Sequence, residues 1–175
     1  MEIDVRNAVE MLGRGSGKAL DIGTGSGRMA AALSQYGYQV VSIEYNVEAL
    51  KRAEQNLRQN GDLENVLLIH GDAHNLPFLD ETFDVVATYN AMHHMTDYKK
   101  VLDEMVRVCK KGGSILISEL NEYGKEIVAE RHRERGGHHE AKISIEDIEE
   151  YLKNTYGLTG EIKNSEKADI FLCKK

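Results

Sequence analysis

The stretch Leu20-Asp21-Ile22-Gly23-Thr24-Gly25-Ser26-Gly27 leaves the chain few folds to choose from. Lys18 to Ile22 is a short apolar run holding one acid, and three glycines follow at alternate positions. Such a run reads as a buried strand, a tight turn and the start of a helix. Glycine lets the backbone turn at positive φ and lets a ligand approach with no side chain between. The helix beyond the turn points its unpaired N–H groups and positive dipole end at whatever lies over it. Two familiar phosphate sites are excluded by spacing. A dinucleotide fingerprint needs Gly-x-Gly-x-x-Gly, and Arg28 stands where its third glycine belongs. A P-loop needs Gly-Lys-Ser/Thr at its close, which is absent.

The remainder of the chain alternates between strand and helix patterns. A helix is predicted over residues 4–13 with Asp4 as its cap, then the first strand at Lys18–Ile22, a helix over 27–36 and a second strand at Tyr38–Glu44. Asn46 caps a helix reaching about Asn60, and Val66–His70 is a continuous apolar strand of the kind covered on both faces. Asp84–Tyr89 is the fourth strand. Thr96 is expected to cap a helix that carries Tyr98, Val101, Leu102, Met105 and Cys109 on one face and ends at Gly112-Gly113. Ser114–Leu120 is the fifth strand. Such alternation implies α/β architecture, a doubly wound parallel sheet with right-handed crossovers. Ser144 and Asp147 form a capping-box variant, with Ile143 placed to staple onto Ile148. Leu158–Asn164 and Ala168–Cys173 read as a closing antiparallel hairpin. With no internal repeat or linker, the 175 residues form one predicted domain, 1–175, with 1–14 a short N-terminal helix.

Ligands in such sheets lie beyond the carboxyl ends of the strands. Acids fall at three of those ends. Asp21 closes the first strand, and Glu44 ends the second about 20 residues on, a spacing that puts a carboxylate on ribose hydroxyls. A carboxylate accepts two hydrogen bonds side by side and so matches a cis-diol. Asp72 follows the third strand, where it could accept from an adenine amino group.

These motifs, taken in order, resemble those of the class I S-adenosylmethionine-dependent methyltransferases. The resemblance covers about residues 15–120: the acid and Gly-x-Gly-x-Gly, Glu44, the loop Gly71-Asp72-Ala73-His74-Asn75-Leu76-Pro77-Phe78, the strand Phe83-Asp84-Val85-Val86, and the run Glu104 to Gly113. Lys111 stands where that family usually has proline before its paired glycines. The resemblance implies a Rossmann-like, mostly parallel seven-stranded sheet whose last strand is inserted antiparallel. It implies S-adenosylmethionine as cofactor and S-adenosylhomocysteine as product. By it, Asp21 lies near the methionine ammonium, Gly23 and Gly25 give close backbone approach, Glu44 holds the ribose and Asp72 the adenine, with Thr24, Tyr45, Ala73 and Asn90 also expected to bind the cofactor.

Chemistry beyond the cofactor rests on Thr88-Tyr89-Asn90-Ala91-Met92-His93-His94. Methyl transfer is an in-line displacement, so the protein mainly orients, and a base is needed only for a protonated acceptor. His93 and His94 are the candidate catalytic residues, since imidazole titrates near neutral pH. Asn90 is followed by Ala-Met-His and not by the Pro-Pro-Tyr/Phe of enzymes that methylate nucleic-acid amino groups. The net charge of −7 argues the same way, because phosphate binding wants a basic face. His132, His138, His139 and Glu140 are weighed as metal ligands with His93 and His94, and the spacing disfavours it, so no metal is expected.

The expected acceptor is a small molecule. A protein or RNA acceptor, or a non-catalytic cofactor-binding module, is the alternative. Residues 121–143, highly charged and beside the transfer site, are expected to form either a mobile cover hinged at Gly124 and Gly136-Gly137 or a surface excursion with no role. Little chain caps the pocket on its N-terminal side, which leaves room for a homodimer. The polar start, the lack of any apolar stretch of about 18 residues and the two unpaired cysteines suggest a cytoplasmic protein with no membrane contact.

Overall fold

The structure, a computed structural model, describes residues 1–61, 63–134 and 142–175. Thirteen regular elements follow one another among them. They are α1 (Ile3–Leu12), β1 (Lys18–Ile22), α2 (Arg28–Gln35), β2 (Gln39–Glu44), α3 (Val47–Asn60), β3 (Val66–His70), β4 (Phe83–Tyr89), α4 (Tyr98–Val108), β5 (Cys109–Leu120), α5 (Glu122–Glu134), α6 (Ile145–Tyr156), β6 (Gly160–Asn164) and β7 (Ala168–Lys174). All the strands join one sheet in the order β3-β2-β1-β4-β5-β7-β6. The first five run parallel, and β7 enters antiparallel between β5 and β6. The expected α/β architecture and closing hairpin are both present.

Apolar clusters cover the two faces of the sheet. On one, Leu20, Ile22, Val86 and Ile117 meet α4 and α6 through Val101, Leu102, Met105, Ile148 and Leu152. On the other, Ala19, Val40, Val85 and Leu116 meet α1 and α2 through Val5, Val9, Met29 and Leu33. Each fully buried Val, Leu, Ile or Met among them contributes about 1.5–3 kcal/mol. That is why the central strands are apolar on both faces while their ends are free to be polar.

Several local expectations change. Asp4 does not cap α1. It lies inside the helix, fully buried, and its Oδ1 accepts from the Lys167 backbone N–H at 3.1 Å, so the acid serves the β6–β7 turn. β3 is not covered on both faces but is an edge strand, and Leu67 is largely exposed. Asp97, not Thr96, caps α4 by accepting from Lys100 N–H at 3.2 Å. That helix ends at Val108, and Cys109 already pairs with Phe83 as strand, so Gly112-Gly113 falls inside β5 beside a break in register. Cys109 and Cys173 are buried free thiols. Asn46 and the Ser144–Asp147 capping box behave as expected.

The charged segment after β5 begins with α5. Asn121 fixes its start, accepting from Gly124 N–H at 2.9 Å and donating to the Ser165 carbonyl at 3.2 Å. A Cβ on Gly124 would come within 2.0 Å of the Lys167 carbonyl oxygen. Gly124 is therefore a packing contact on the β6–β7 turn and not the expected hinge. Gly136, Gly137, His138, His139 and Glu140 lie outside the described residues. Among the described residues, no helix is long and apolar enough to cross a membrane.

Candidate functional site

The sheet order sets the site. β3, β2, β1 and β4 are adjacent and parallel, so the residues after their carboxyl ends line up along one edge. There they enclose a cavity of about 690 Å³, within the 300–1,000 Å³ typical of small-molecule sites. Gly23, Thr24, Gly25, Glu44, Tyr45, Asp72, Ala73, Asn90 and His94 all line it. Asp21 and His93 do not.

The glycine turn forms the floor. Gly23, Gly25 and Gly27 have φ of +78°, +54° and +85°, a region that strains other residues. A Cβ on Gly23 would lie 2.6 Å from that of Ala91, so only glycine lets the turn and the β4 loop approach this closely. Glu44 is locked onto the turn. Its Oε2 accepts from Gly25 N–H and its Oε1 from Asn46 N–H, both at 2.9 Å. Each oxygen keeps a further lone pair, so the carboxylate is held in place without being used up.

Asp21 lies beneath the turn, 1% exposed. Ser42 Oγ donates to its Oδ2 at 2.7 Å and shares a 2.7 Å hydrogen bond with Thr24 Oγ1. Burial pushes the Asp21 carboxyl up to about 7; the Ser42 bond opposes this and the Glu44 charge adds to it. Asp21 thus braces the turn from below.

At the β3 end, His74 holds Asp72. Its backbone N–H donates to Asp72 Oδ1 at 2.9 Å, and its ring Nδ1 lies 2.7 Å from the same oxygen. These bonds keep the Asp72 carboxyl below its usual range. Both use Oδ1 and leave Oδ2 out of the His74 contact. Glu104 and Arg107 of α4 clamp the loop further along, where Leu76 N–H donates to Glu104 Oε2 at 2.7 Å and Arg107 donates to the Leu76 and Phe78 carbonyls. Tyr45 is exposed at the rim, its carbonyl 2.9 Å from His70 Nε2.

At the β4 end, Asn90 sits at φ +49° and its N–H donates to the Ser118 carbonyl at 2.8 Å. Here the structure reveals a residue that the sequence reading passed over. Glu119, 1% exposed near the end of β5, accepts from Ala91 N–H at 3.1 Å and Met92 N–H at 2.7 Å through Oε1. Its Oε2 lies 2.6 Å from His93 Nδ1. His93 is therefore turned into the protein, and its ring packs at 4.1 Å against that of His94, which faces the cavity. The signal available was an acid in an otherwise apolar strand. Ser42, paired in register with Asp21, offered a similar one. Burial raises the Tyr89 phenol well above its usual range, with the Glu2 and Asp4 charges adding, so Tyr89 is a neutral donor in the wall.

The donor set fits an adenosine-type cofactor with an amino-acid tail. Carboxylates stand ready for hydroxyl and amino groups, a Cβ-free turn floors the centre, and the buried Asn90 Oδ1, His74 Nε2 and Asp21 Oδ1 in and under the wall have no hydrogen-bond partner. Among the described residues no group of three His, Cys, Asp or Glu could hold a metal ion.

Comparison with known proteins gives the arrangement a family. Residues 20–117 match the model of the methyltransferase domain. The uncharacterized methyltransferase YcgJ of Bacillus subtilis is 35% identical over 104 residues, 59% of this chain and 41% of that protein. The ubiquinone/menaquinone biosynthesis C-methyltransferase UbiE of Idiomarina loihiensis is 38% identical over 107 residues, 59% of this chain and 43% of that one. The matched region spans under half the length of these curated relatives. In three dimensions a SAM-dependent methyltransferase from Aquifex aeolicus shares the fold with a TM-score of 0.78 at 21% identity, over 98% of this chain and 89% of that one. The chain belongs to the class I S-adenosylmethionine-dependent methyltransferase family.

Proposed function

We propose that this protein transfers a methyl group from S-adenosylmethionine to a small-molecule acceptor. The observation that carries the reading is Glu44, fixed by two backbone N–H groups at the centre of a cavity that crosses four strand ends. When bound, the cofactor supplies a methyl on a sulfonium sulfur, which the acceptor displaces in line. The chain's own part is orientation. Glu44 takes the ribose diol, Asp72 and Ala73 the adenine edge, and the Tyr45 ring covers the rim. Gly23 and Gly25 admit the sulfur end to close contact with backbone.

The acceptor enters by the β4 loop, where Asn90, Ala91, His94, Met95 and Thr96 form the wall. The two histidines divide their work. His94 faces the cavity and takes a proton where the acceptor carries one. His93, held by Glu119, positions His94 from behind. Relatives named as a ubiquinone/menaquinone biosynthesis C-methyltransferase and a demethylmenaquinone methyltransferase support a small acceptor, an aromatic or quinol ring. α5 leaves the end of β5 on the same side, and we assign acceptor selection to the 121–143 segment that it begins.

Calorimetric titration tests the cofactor site. Glu44→Ala should weaken S-adenosylmethionine binding more than about tenfold, since hydrogen bonds to a charged group are worth about 1.5–3 kcal/mol. Unchanged affinity removes Glu44 from the site, and selective binding of NAD refutes the whole reading. Incubation with S-adenosylmethionine and a panel of quinols and phenols should release S-adenosylhomocysteine. Saturable binding with no turnover on any of them reduces the chain to a binding module.

A further inference from the structure

The cavity is long and its charge is uneven. It crosses four strand ends at about 5 Å per strand. With adenosine over β3 and β2 and the sulfur over the β1 turn, the ligand's amino-acid tail comes to β4. The acids lining the cavity, Asp72 and Glu44, belong to the adenosine half. Arg28, the first residue of α2, is the one Lys or Arg among the lining residues, and it stands with Met29 and Tyr89 in the other half. A tail bearing an α-carboxylate is matched by a cation there, and among the described residues only this side chain of the lining offers one.

Arg28 already holds a carboxylate. Its Nη1 lies 2.8 Å from Glu2 Oε2, with the Arg28 side chain 59% exposed and that of Glu2 33%. Glu2 immediately precedes α1 and makes no side-chain cap bond to that helix. It is brought to Arg28 because Val5, Ala8 and Val9 of α1 pack with Met29, Ala30 and Leu33 of α2. An ion pair this exposed gains little from its Coulomb energy and is easily exchanged. A guanidinium prefers a bidentate partner, and a free carboxylate entering beside it offers one.

We propose that Arg28 binds the α-carboxylate of the cofactor's amino-acid end, and that Glu2 is the internal carboxylate displaced when it does so. The N-terminal helix then carries a latch on the cofactor mouth. The latch is closed by Glu2 in the free protein and opened by ligands that bring their own carboxylate. A nucleoside without the tail leaves it shut. The inference rests on the cofactor site proposed above and adds to it the group that reads the tail.

Two ligands separate the latch from the pocket. S-adenosylhomocysteine carries the amino-acid tail, whereas 5′-methylthioadenosine keeps the nucleoside and the sulfur and lacks it. Calorimetric titration of the wild-type chain, Arg28→Gln and Glu2→Gln with both compounds gives the readout. Arg28→Gln should weaken S-adenosylhomocysteine about tenfold or more. Glu2→Gln should tighten it about two- to fivefold, the size of an exposed ion pair removed from competition. Neither variant should move 5′-methylthioadenosine. Equal losses for both ligands in Arg28→Gln overturn the proposal, because Arg28 would then act on the turn and not on the tail. Unchanged S-adenosylhomocysteine affinity in that variant overturns it too, and no gain in Glu2→Gln removes the latch. If 5′-methylthioadenosine still binds in those cases, the cofactor site stands without the latch. If wild type binds neither compound, both readings fall together.

Discussion

At Asp21 a single burial couples the glycine turn to the solution pH. Burial holds the carboxyl at about 7 in the fold, against an ordinary value of 3.8. A folded-state pKa raised in this way means the native state holds more protons than the unfolded chain between those values. The group's contribution is complete below the lower value and is lost as pH rises through the upper one, on the order of 4 kcal/mol in all. Asp21→Asn keeps an acceptor for Ser42 and abolishes the titration. Urea unfolding at about pH 5 and about pH 8 should then show wild type losing stability relative to the variant as pH rises. A constant difference refutes the assignment. Glu119 works at the same scale with the opposite economy, since one carboxylate satisfies two backbone N–H groups and an imidazole. Glu119→Ala strands all three and should cost about 2–4 kcal/mol. By calorimetry the melting temperature should fall by about 2–4 °C for each of those kcal/mol. Glu119→Gln, which still offers an oxygen to Ala91 and Met92, should cost clearly less. Equal losses in the two variants would show that the packing of this corner matters more than its hydrogen bonds.

Among the elements, legibility followed the period of the local pattern. Helices with a clean apolar stripe and a capping side chain, α3 and α6, begin at the residues their caps name. Boundaries failed where two signals competed. Thr96 and Asp97 are both good caps, and backbone geometry chose the second. Gly112-Gly113 looks like a helix stop, yet the chain had already turned to strand at Cys109, because Phe83 offered it a partner that local sequence does not reveal. β3 was apolar enough for a central strand, and only the sheet order exposes its Leu67. The lining of the cavity was readable at Glu44 and Asp72 because these acids close consecutive strands. The Glu119–His93 pair was not, because its partners are 26 residues apart and meet only through sheet register. For α5 the polar composition suggested a cover, and Asn121 with Gly124 shows that its first turn is pinned to the β6–β7 turn. Any closing motion has to start beyond that turn. Hydrogen exchange with S-adenosylhomocysteine and acceptor should therefore protect amides after about residue 127 while leaving 122–125 unchanged. Uniform protection along α5, or none, removes the cover.

For the molecule as a whole, the net charge of −7 bears on its partners. A surface with this balance repels phosphate backbones, and among the described residues Arg28 is the one Lys or Arg in the cavity wall to offset it. Fluorescence anisotropy with mixed RNA at physiological salt should show no specific binding tighter than about micromolar, the tight end of ordinary nonspecific protein–DNA contact. Sub-micromolar specific binding would make an RNA acceptor the leading reading. The position of β7 has a different consequence, one that concerns how the protein is made. β5 pairs with β7 along its whole inner half, from Ser114–Lys174 to Leu120–Ala168, and α1 packs against both strands. Synthesis delivers β7 after every other element described here. While the nascent chain is still on the ribosome, β5 must wait with an unpaired edge and a bare apolar face, and α1 waits for half of its floor. Domains built this way do not finish folding piecemeal during translation. The interval before Ala168–Lys174 clears the exit tunnel is thus when this chain is most open to mispairing with its neighbours on a polysome. A chain truncated before Ala168 would be held permanently in that state.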